Sequence, residues 1–161
     1  MFEFISKFDE LENDIVHLKI IEKSKGDKNL LPFYYYDIYE NKSNKNIGKI
    51  SIRIGENYDS YYNGNIGYEI DKSFRGHSYS FHASKLVLNI AKEHGMDFIY
   101  ITCNESNYAS RRIIERLGGI LKEITDVPKD YFAWYDGICR HCIYKLILWK
   151  KLEGCVWYVK S

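Results

Sequence analysis

The stretch RGHSYS, residues 75–80, joins a segment typical of a β-strand to one typical of an α-helix. The first turn of a helix leaves main-chain N–H groups unpaired and carries a partial positive charge, so it attracts anions such as phosphate. Arg75 adds a formal charge, and Gly76 allows close approach of the backbone. Ser78 and Ser80 offer hydroxyl groups that can cap the helix or donate to phosphate oxygens. The stretch indicates a phosphate site, although a serine-capped helix beside a surface arginine explains the same residues.

Hydrophobic periodicity predicts the elements that would position this stretch. One apolar face recurs at helical spacing over residues 78–94, and Gly95 then supplies a helix end. The run FIYITC, residues 98–103, is typical of a buried strand, and residues 107–119 indicate a second helix with a Gly-Gly stop. Further strands are predicted over residues 15–24, 33–40, 47–55, 66–70, 120–127 and 142–149, with a tyrosine-rich loop over residues 56–65.

The order of these elements predicts the fold. Strand, helix, strand and helix succeed one another in the centre of the chain, which implies a parallel strand pair with a right-handed crossover. The earlier strands are joined too closely for crossovers, so they should be antiparallel neighbours. We predict an α/β fold with a mixed, mostly antiparallel sheet and a central parallel strand pair flanked by helices.

Length and charge limit the classes of function. The chain has 161 residues and a net charge of +1, and its size suits a single domain over residues 1–161. So balanced a charge gives no overall field that would gather nucleic acid or an anionic membrane. No apolar run approaches the roughly 20 residues that span a bilayer, and the acidic N-terminus is unlike a signal peptide. We therefore expect a cytoplasmic protein with no nucleic-acid or membrane partner.

The cysteines and histidines predict no metal centre. The four cysteines are Cys103, Cys139, Cys142 and Cys155, and the segment CRHC, residues 139–142, has the spacing of a metal or redox pair. No second pair stands at zinc-finger spacing, and the histidines show no ligand spacing. We expect reduced thiols with a structural role, and we interpret Cys103 as a small apolar filler rather than an acyl-accepting nucleophile.

The segments GYEI, RGHSYS and NESNYASRRIIERLGG occur in an order that resembles the GNAT superfamily of acyl-CoA-dependent N-acetyltransferases. The family signature is Arg or Gln, two residues, Gly, one residue, then Gly or Ala, followed by an Asn that opens the next helix and a Leu-Gly near its end. The resemblance runs from about Gly67 to Gly119, with suitable strands on both sides. It implies the GNAT fold and acetyl-CoA as cosubstrate.

The resemblance also implies where the coenzyme binds. Main-chain amides of the turn would hold its pyrophosphate, and the residues implied are Arg75, Gly76, His77, Ser78, Tyr79 and Ser80. The pantetheine arm would lie in a splayed gap between the strands that end at Ile70 and Cys103, and would pair with the backbone near Tyr68 and Ile70. Asn104 and Asn107 would line the far side of this gap.

Three residues depart from the family pattern. Ser78 and Ser80 replace smaller residues of the turn, and each hydroxyl either donates to phosphate or crowds it. Serine costs little there if the site has helical dihedral angles. Ile114 stands where many relatives carry a tyrosine thought to protonate the departing thiolate. A thiol with a pKa of about 8.5 can leave near neutral pH without much help.

The implied reaction needs a base, because a lysine-type amine has a pKa of about 10.4 and must lose a proton before it attacks a thioester. Glu69 is the best candidate, since it lies on the strand that leads to the turn and many relatives place a carboxylate there. Alternation puts Glu69 on the opposite face from Tyr68 and Ile70, so we expect that a twist or bulge is needed to reach the acceptor. A solvated glutamate explains the residue equally well. A backbone N–H near Ile70 would stabilise the developing oxyanion.

The predicted function is transfer of an acetyl group from acetyl-CoA to a primary amine of a small molecule or a protein N-terminus, by direct attack. Two alternatives stay open. One is a non-catalytic domain that binds or senses CoA, which Ser78, Ser80 and Ile114 favour, and the other is a protein-interaction domain without coenzyme. The segment before Phe33 is too short for the helix pair that many relatives insert, a region that often shapes the acceptor site. A homodimer, common among similar proteins, also stays open.

Overall fold

The computed structural model of the protein describes residues 1–151 and 157–159. Its larger sheet has five strands that pair antiparallel in chain order. These strands are β1 (Glu10–Glu12), β2 (Val16–Ser24), β3 (Phe33–Glu40), β4 (Asn46–Arg53) and β5 (Ile66–Ile70). The predicted strands of this half are confirmed to within two residues, apart from the short β1. No helix occurs between β2 and β3, as the length of that segment predicted.

A smaller antiparallel sheet of three strands follows, in the order β6-β8-β7. Its strands are β6 (Phe98–Asn104), β7 (Ile120–Thr125) and β8 (His141–Ile147). Two further short strands, β9 (Trp149–Lys151) and β10 (Trp157–Val159), form a separate two-stranded ribbon. The three predicted strands of this half are therefore confirmed, with small shifts of their ends.

Three α-helices connect these strands: α1 (Tyr58–Asn63), α2 (Tyr79–Glu93) and α3 (Tyr108–Leu117). Short 3₁₀ turns occur at Ser6–Asp9 and Lys72–Phe74. The periodicity predicted α2 and α3, but the prediction of a loop over residues 56–65 is wrong where α1 forms. Asn57 and Ser60 cap α1 reciprocally, each side chain accepting a hydrogen bond from the main-chain N–H of the other. Within the described residues, no helix is long and apolar enough to cross a bilayer.

The core lies between α2 and the larger sheet. Alternate side chains of β3, Tyr34, Tyr36 and Ile38, are fully buried, and Ala83 and Val87 of α2 are fully buried as well. The helix packs against β2, β4 and β5. Because side chains of a strand alternate between faces, the other residues of β3 and β4 point to the opposite face of the sheet, which α2 leaves uncovered.

The two sheets meet at Asn65, just before β5. Its main-chain N–H donates to the Tyr100 carbonyl at 2.7 Å, and its side-chain oxygen accepts from the Tyr100 N–H at 2.9 Å. Its side-chain amide donates to the carbonyls of Arg53 and Gly55 at 3.0 and 2.9 Å. Beyond this junction, β5 and β6 form no ladder among the residues described. The α/β fold is confirmed, and the central strand pair is splayed rather than hydrogen-bonded.

Replacing Asn65 by alanine should lower the free energy of unfolding by about 2–4 kcal/mol, because Asn65 is fully buried and three main-chain groups would lose their partners. Denaturant unfolding followed by circular dichroism measures this change. Asn89→Ala, at an exposed position of α2, is the matched control and should shift the free energy by less than about 0.7 kcal/mol. A loss below about 1 kcal/mol for the Asn65 variant would contradict the role of this junction.

Candidate active site

The turn before α2 presents a run of free main-chain donors. In the part of the chain that the structure describes, none of the N–H groups of residues 76–81 donates a hydrogen bond; the first one used is that of His82, which donates to the Ser78 carbonyl. Gly76 has a φ of +89°, and no atom lies within 4 Å of the position that a Cβ would take. The turn is therefore open to an anion, which would meet unpaired N–H groups and the positive end of the α2 dipole.

Ser78 immediately precedes α2 and adopts the left-handed conformation, with φ 61° and ψ 24°. Its side chain does not cap the helix, so the suggestion that it does is wrong, and its dihedral angles are not the helical ones in which serine costs little. Ser80 lies inside α2, where serine is tolerated. A left-handed residue followed by helical residues points successive N–H groups to one side, which makes a concave anion site. Ser78 thus keeps the backbone shape that a glycine adopts readily.

Charged side chains surround this turn. The Arg75 Nε donates to the carbonyl of Ile70 at 2.9 Å, so its guanidinium is held at the end of β5. Arg116 of α3 donates from Nη1 to the Ser78 Oγ at 2.8 Å. The Tyr79 hydroxyl donates to Glu40, and this hydrogen bond lowers the pKa of Glu40. His77 is exposed, with its ring 5.5 Å from that of Tyr79.

Edge groups of β5 face the gap between the two sheets. Main-chain hydrogen bonds of β5 to β4 occur at Asn65 and at Asp71, and the register between them has no bulge. Bonded and non-bonded pairs alternate in an antiparallel ladder, so the N–H and C=O groups of Tyr68 and Ile70 point away from β4. No ladder with β6 occupies them among the described residues. The Ile70 carbonyl accepts from Arg75 Nε, so the groups left to an extended chain are the N–H and C=O of Tyr68 and the N–H of Ile70. Pairing of the pantetheine arm with this edge stays a prediction.

The far side of the gap is the end of β6 and the start of α3. Asn104 is the last residue of β6 and is exposed. The Asn107 side-chain oxygen accepts from the Ser110 N–H at 3.1 Å and so caps α3. Both asparagines lie near the gap, but the capping role already uses one polar group of Asn107. Their contact with coenzyme stays a prediction.

A pair of hydroxyl groups bridges the gap. The Tyr68 hydroxyl of β5 and the Ser110 Oγ of α3 are 2.5 Å apart. Burial raises the pKa of Tyr68, although the hydrogen bond with Ser110 opposes the shift.

Burial also raises the pKa of the neighbouring Cys103 thiol to about 11, so this cysteine is protonated at neutral pH and is a poor nucleophile. Ile114, one turn after Ser110, is fully buried and takes no part in the gap chemistry.

A cleft of about 450 Å³ opens on the face of the larger sheet that α2 leaves uncovered. Its lining includes Tyr35, Lys49, Ser51, Arg53, Glu69 and Phe132. Glu69 is exposed in this cleft, on the same strand as the edge groups that face the gap. Glu69 reaches this cleft without a bulge in β5, and its contact with an acceptor stays a prediction. The cleft lies on the side of β5 to which the Glu69 side chain points, and β5 pairs with β4 without a register shift.

The cysteines do not form a metal site with the other residues described. Cys103, Cys139 and Cys142 are free thiols, and Cys155 lies outside the described residues. Cys142 is buried in β8 directly opposite Cys103 of β6, whereas Cys139 is exposed before that strand. Over residues 1–151 and 157–159, no group of three or more His, Cys, Asp or Glu side chains could hold a metal ion.

The sheets, the turn and the splayed strands together are those of an acetyltransferase fold. A family model described as an acetyltransferase (GNAT) domain matches residues 7–120, which is more than half of the chain. The protein therefore belongs to the GNAT acetyltransferase family. This membership supports acyltransferase activity and confirms the resemblance noted in the sequence. No curated protein matches the sequence significantly.

Solved structures share the fold at low identity. A ribosomal-protein-S5-alanine acetyltransferase from Vibrio fischeri is 14% identical with a TM-score of 0.63, and the match covers 86% of this chain and 96% of that one. A GNAT-family acetyltransferase from Bacillus anthracis is 18% identical with a TM-score of 0.56, and the match covers 70% of this chain and 65% of that one. The microcin C7 self-immunity acetyltransferase, in complex with acetyl-CoA and AMP, is 19% identical with a TM-score of 0.55. The match covers 71% of this chain and 61% of that one.

The sequence did not predict a role in the site for Ser110 or Arg116. Ser110 sits in the first turn of α3 and Arg116 near its end, and each meets a partner far away in the chain, Tyr68 and Ser78 respectively. Helical spacing shows that Ser110 and Arg116 belong to one helix, but it does not show which strand or turn that helix faces. The partner of each residue is visible only in the folded chain.

Proposed function

We propose that the protein transfers an acetyl group from acetyl-CoA to a primary amine of a small molecule or of a protein N-terminus, by direct attack. The unpaired N–H groups of residues 76–81, beside a gap across which β5 and β6 form no ladder among the described residues, are the observation that carries this proposal. Membership of the GNAT acetyltransferase family supports it. The same match, together with β8 completing the sheet beyond residue 120, supports a single domain over residues 1–161.

This proposal assigns the following binding roles. Residues 75–80 hold the pyrophosphate, the edge groups of Tyr68 pair with the pantetheine arm beside Ile70, and Asn104 and Asn107 line its far side. The thioester then lies between the end of β5 and the start of α3. Acetyl-CoA supplies the activated acetyl group when it is bound there. Arg116 adds a second positive charge at the turn, because its guanidinium donates a hydrogen bond to the Ser78 Oγ.

Glu69 takes the proton that the ammonium form of the acceptor must lose, directly or through water. The neutral amine attacks the thioester carbonyl from the cleft side of β5. The N–H of Ile70 faces the gap and stabilises the oxyanion that develops. The carbon–sulfur bond then breaks, the nitrogen releases its remaining extra proton to water, the acetyl group stays on nitrogen as an amide, and coenzyme A leaves as a thiolate that is then protonated. Cys103 forms no acyl-enzyme, since its thiol is protonated at neutral pH.

The hydroxyl pair of Tyr68 and Ser110 protonates the leaving thiolate in this proposal. It lies across the gap, and Ser110 is one helical turn before Ile114, the position where many relatives carry a tyrosine. A hydroxyl from a different position of α3 can thus replace the missing phenol.

Replacing Ser110 by alanine should lower the turnover number by about 10- to 100-fold, because the thiolate would lose its proton donor and Tyr68 its partner. The affinity for acetyl-CoA should stay within about twofold, since the pyrophosphate turn is untouched. Single-turnover thiol release and calorimetric titration measure the two quantities. Ser106→Ala, at an exposed position before α3, is the matched control. Full turnover in the Ser110 variant would show that water, rather than the hydroxyl pair, protonates the leaving thiolate.

Two measurements test the function itself. Thermal shift with acetyl-CoA should show saturable stabilisation, and a panel of amines should include at least one that accelerates thiol release. The complete burial of Ile114 favours a second candidate, a CoA-binding or sensing domain without turnover. Saturable binding with no accelerating amine would support that candidate, and no binding at all would overturn both.

A further inference from the structure

Arg53 is a half-buried cation in the floor of the cleft. It is the last residue of β4, and its Nη1 donates to the Gly64 carbonyl at 3.0 Å. Its Nη2 lies 3.7 Å from the position that a Cβ of Gly67 would occupy. The guanidinium therefore lies over Gly67, which has no side chain to offer to the cleft. A side chain at position 67 would fill the space beside this guanidinium.

The charge of Arg53 has no carboxylate partner among the described residues. No Asp or Glu oxygen of those residues lies within 4 Å of its guanidinium, and the bond to Gly64 uses one of five N–H donors. Burial lowers the pKa of Arg53, and only the nearby Tyr131 opposes that shift. A partly desolvated guanidinium without a counter-charge is a site for an anion, and its planar fork suits a carboxylate.

We infer that the acceptor is an amine that also carries a carboxylate, which Arg53 binds while Glu69 receives the ammonium end. This inference rests on the proposed function and names the class of its substrate. Glu69 and Gly67 are two residues apart on one face of β5, so the two ends of the acceptor are separated by about 7 Å. That separation fits an aliphatic amino acid whose amine and carboxylate are several bonds apart, rather than an α-amino acid.

The other charged side chains of the cleft are Lys49 and Glu22, and the positive charge of Lys49 lies at the Glu69 end. Lys49 stands opposite Glu69 in the ladder and lies over the Tyr35 ring at 5.8 Å, away from the Arg53 end. Glu22 is exposed at the cleft rim on β2. A diamine would bring a second ammonium group to the Arg53 guanidinium, and the two would repel each other. A plain alkylamine would leave that guanidinium unpaired.

Three probes of equal chain length test the inference: δ-aminovalerate, pentylamine and cadaverine. With the wild-type protein and saturating acetyl-CoA, kcat/KM for δ-aminovalerate should exceed that for pentylamine by about 10- to 100-fold, and cadaverine should be poorest. In Arg53→Met the ratio of δ-aminovalerate to pentylamine should fall to about one, with pentylamine itself unchanged within about threefold. Arg53→Lys should keep an intermediate ratio, because it keeps the charge without the fork.

The ratio separates a binding role from a structural one, because misfolding would lower both rates together. Calorimetric binding of δ-aminovalerate and pentylamine to the protein with coenzyme A gives a second readout that needs no turnover. Binding of δ-aminovalerate that depends on Arg53, without any acetylation, would uphold the carboxylate site while the proposed function fails. Acetylation of pentylamine or cadaverine as fast as δ-aminovalerate would overturn the inference and leave the function standing. Equal or absent binding of both probes, with no acetylation, would overturn it too.

Discussion

Replacing Glu69 by glutamine should lower the rate of acetyl transfer at neutral pH by about 100-fold or more. The amide keeps the shape of the side chain but cannot accept the proton that an ammonium acceptor must lose. Acetyl-CoA should bind the variant as tightly as the wild type, because Glu69 faces the cleft and the proposed coenzyme site is the gap. Steady-state rates across a pH series, with one amine and both proteins, measure the effect.

Glu22→Gln is the matched control for this result. Glu22 lines the same cleft from β2, so the variant removes one negative charge from the cleft without touching β5. Its rate should stay within about threefold of the wild type. Identical pH–rate profiles for wild type and the Glu69 variant would remove Glu69 from the mechanism, and water would then have to accept the proton.

Replacing His77 by glutamate should weaken acetyl-CoA binding by about 10- to 100-fold, because a carboxylate would then stand beside the turn proposed to receive the pyrophosphate. His77 is exposed, so the melting temperature without ligand should change little. Isothermal titration with acetyl-CoA at low and physiological ionic strength measures the loss, which should shrink as salt screens the added charge.

Asn89→Glu controls for the change in net charge. Asn89 is exposed on the same helix, about 16 Å further along its axis, which is beyond the screening length at physiological salt. Its affinity for acetyl-CoA should equal that of the wild type. If both variants lose affinity equally, or neither does, the pyrophosphate does not lie on residues 75–80.

Local patterns explain how much of the fold and site the sequence predicts. Alternation over residues 33–40 and helical spacing over residues 78–94 are properties of neighbouring residues, so both elements can be predicted without the rest of the chain. The turn at residues 75–80 is predictable for the same reason, since a helix start with an arginine and a glycine has a known affinity for anions. The position of Glu69 on the cleft side follows from its place in the strand.

Properties that depend on distant residues could not be predicted. The left-handed conformation of Ser78 is one of them, because serine rarely adopts it and its hydroxyl is held by Arg116 from another helix. The short helix α1 is another, since its cap pairs Asn57 with a serine rather than with the usual Glu or Gln. That Arg53 has no carboxylate partner within the described part of the chain becomes apparent only once β4 lies beside β5.

The junction at Asn65 makes the gap a wedge, closed where β5 begins and open where it ends. The wedge is about 16 Å long, so a small rotation about its closed end moves the strands much further at its mouth. In the proposed binding mode, the width of the coenzyme site therefore depends on Asn65, which lies at the opposite end of β5 from the turn at residues 75–80. Substitutions at Asn65 should then change the affinity for the coenzyme while every residue of that turn stays the same.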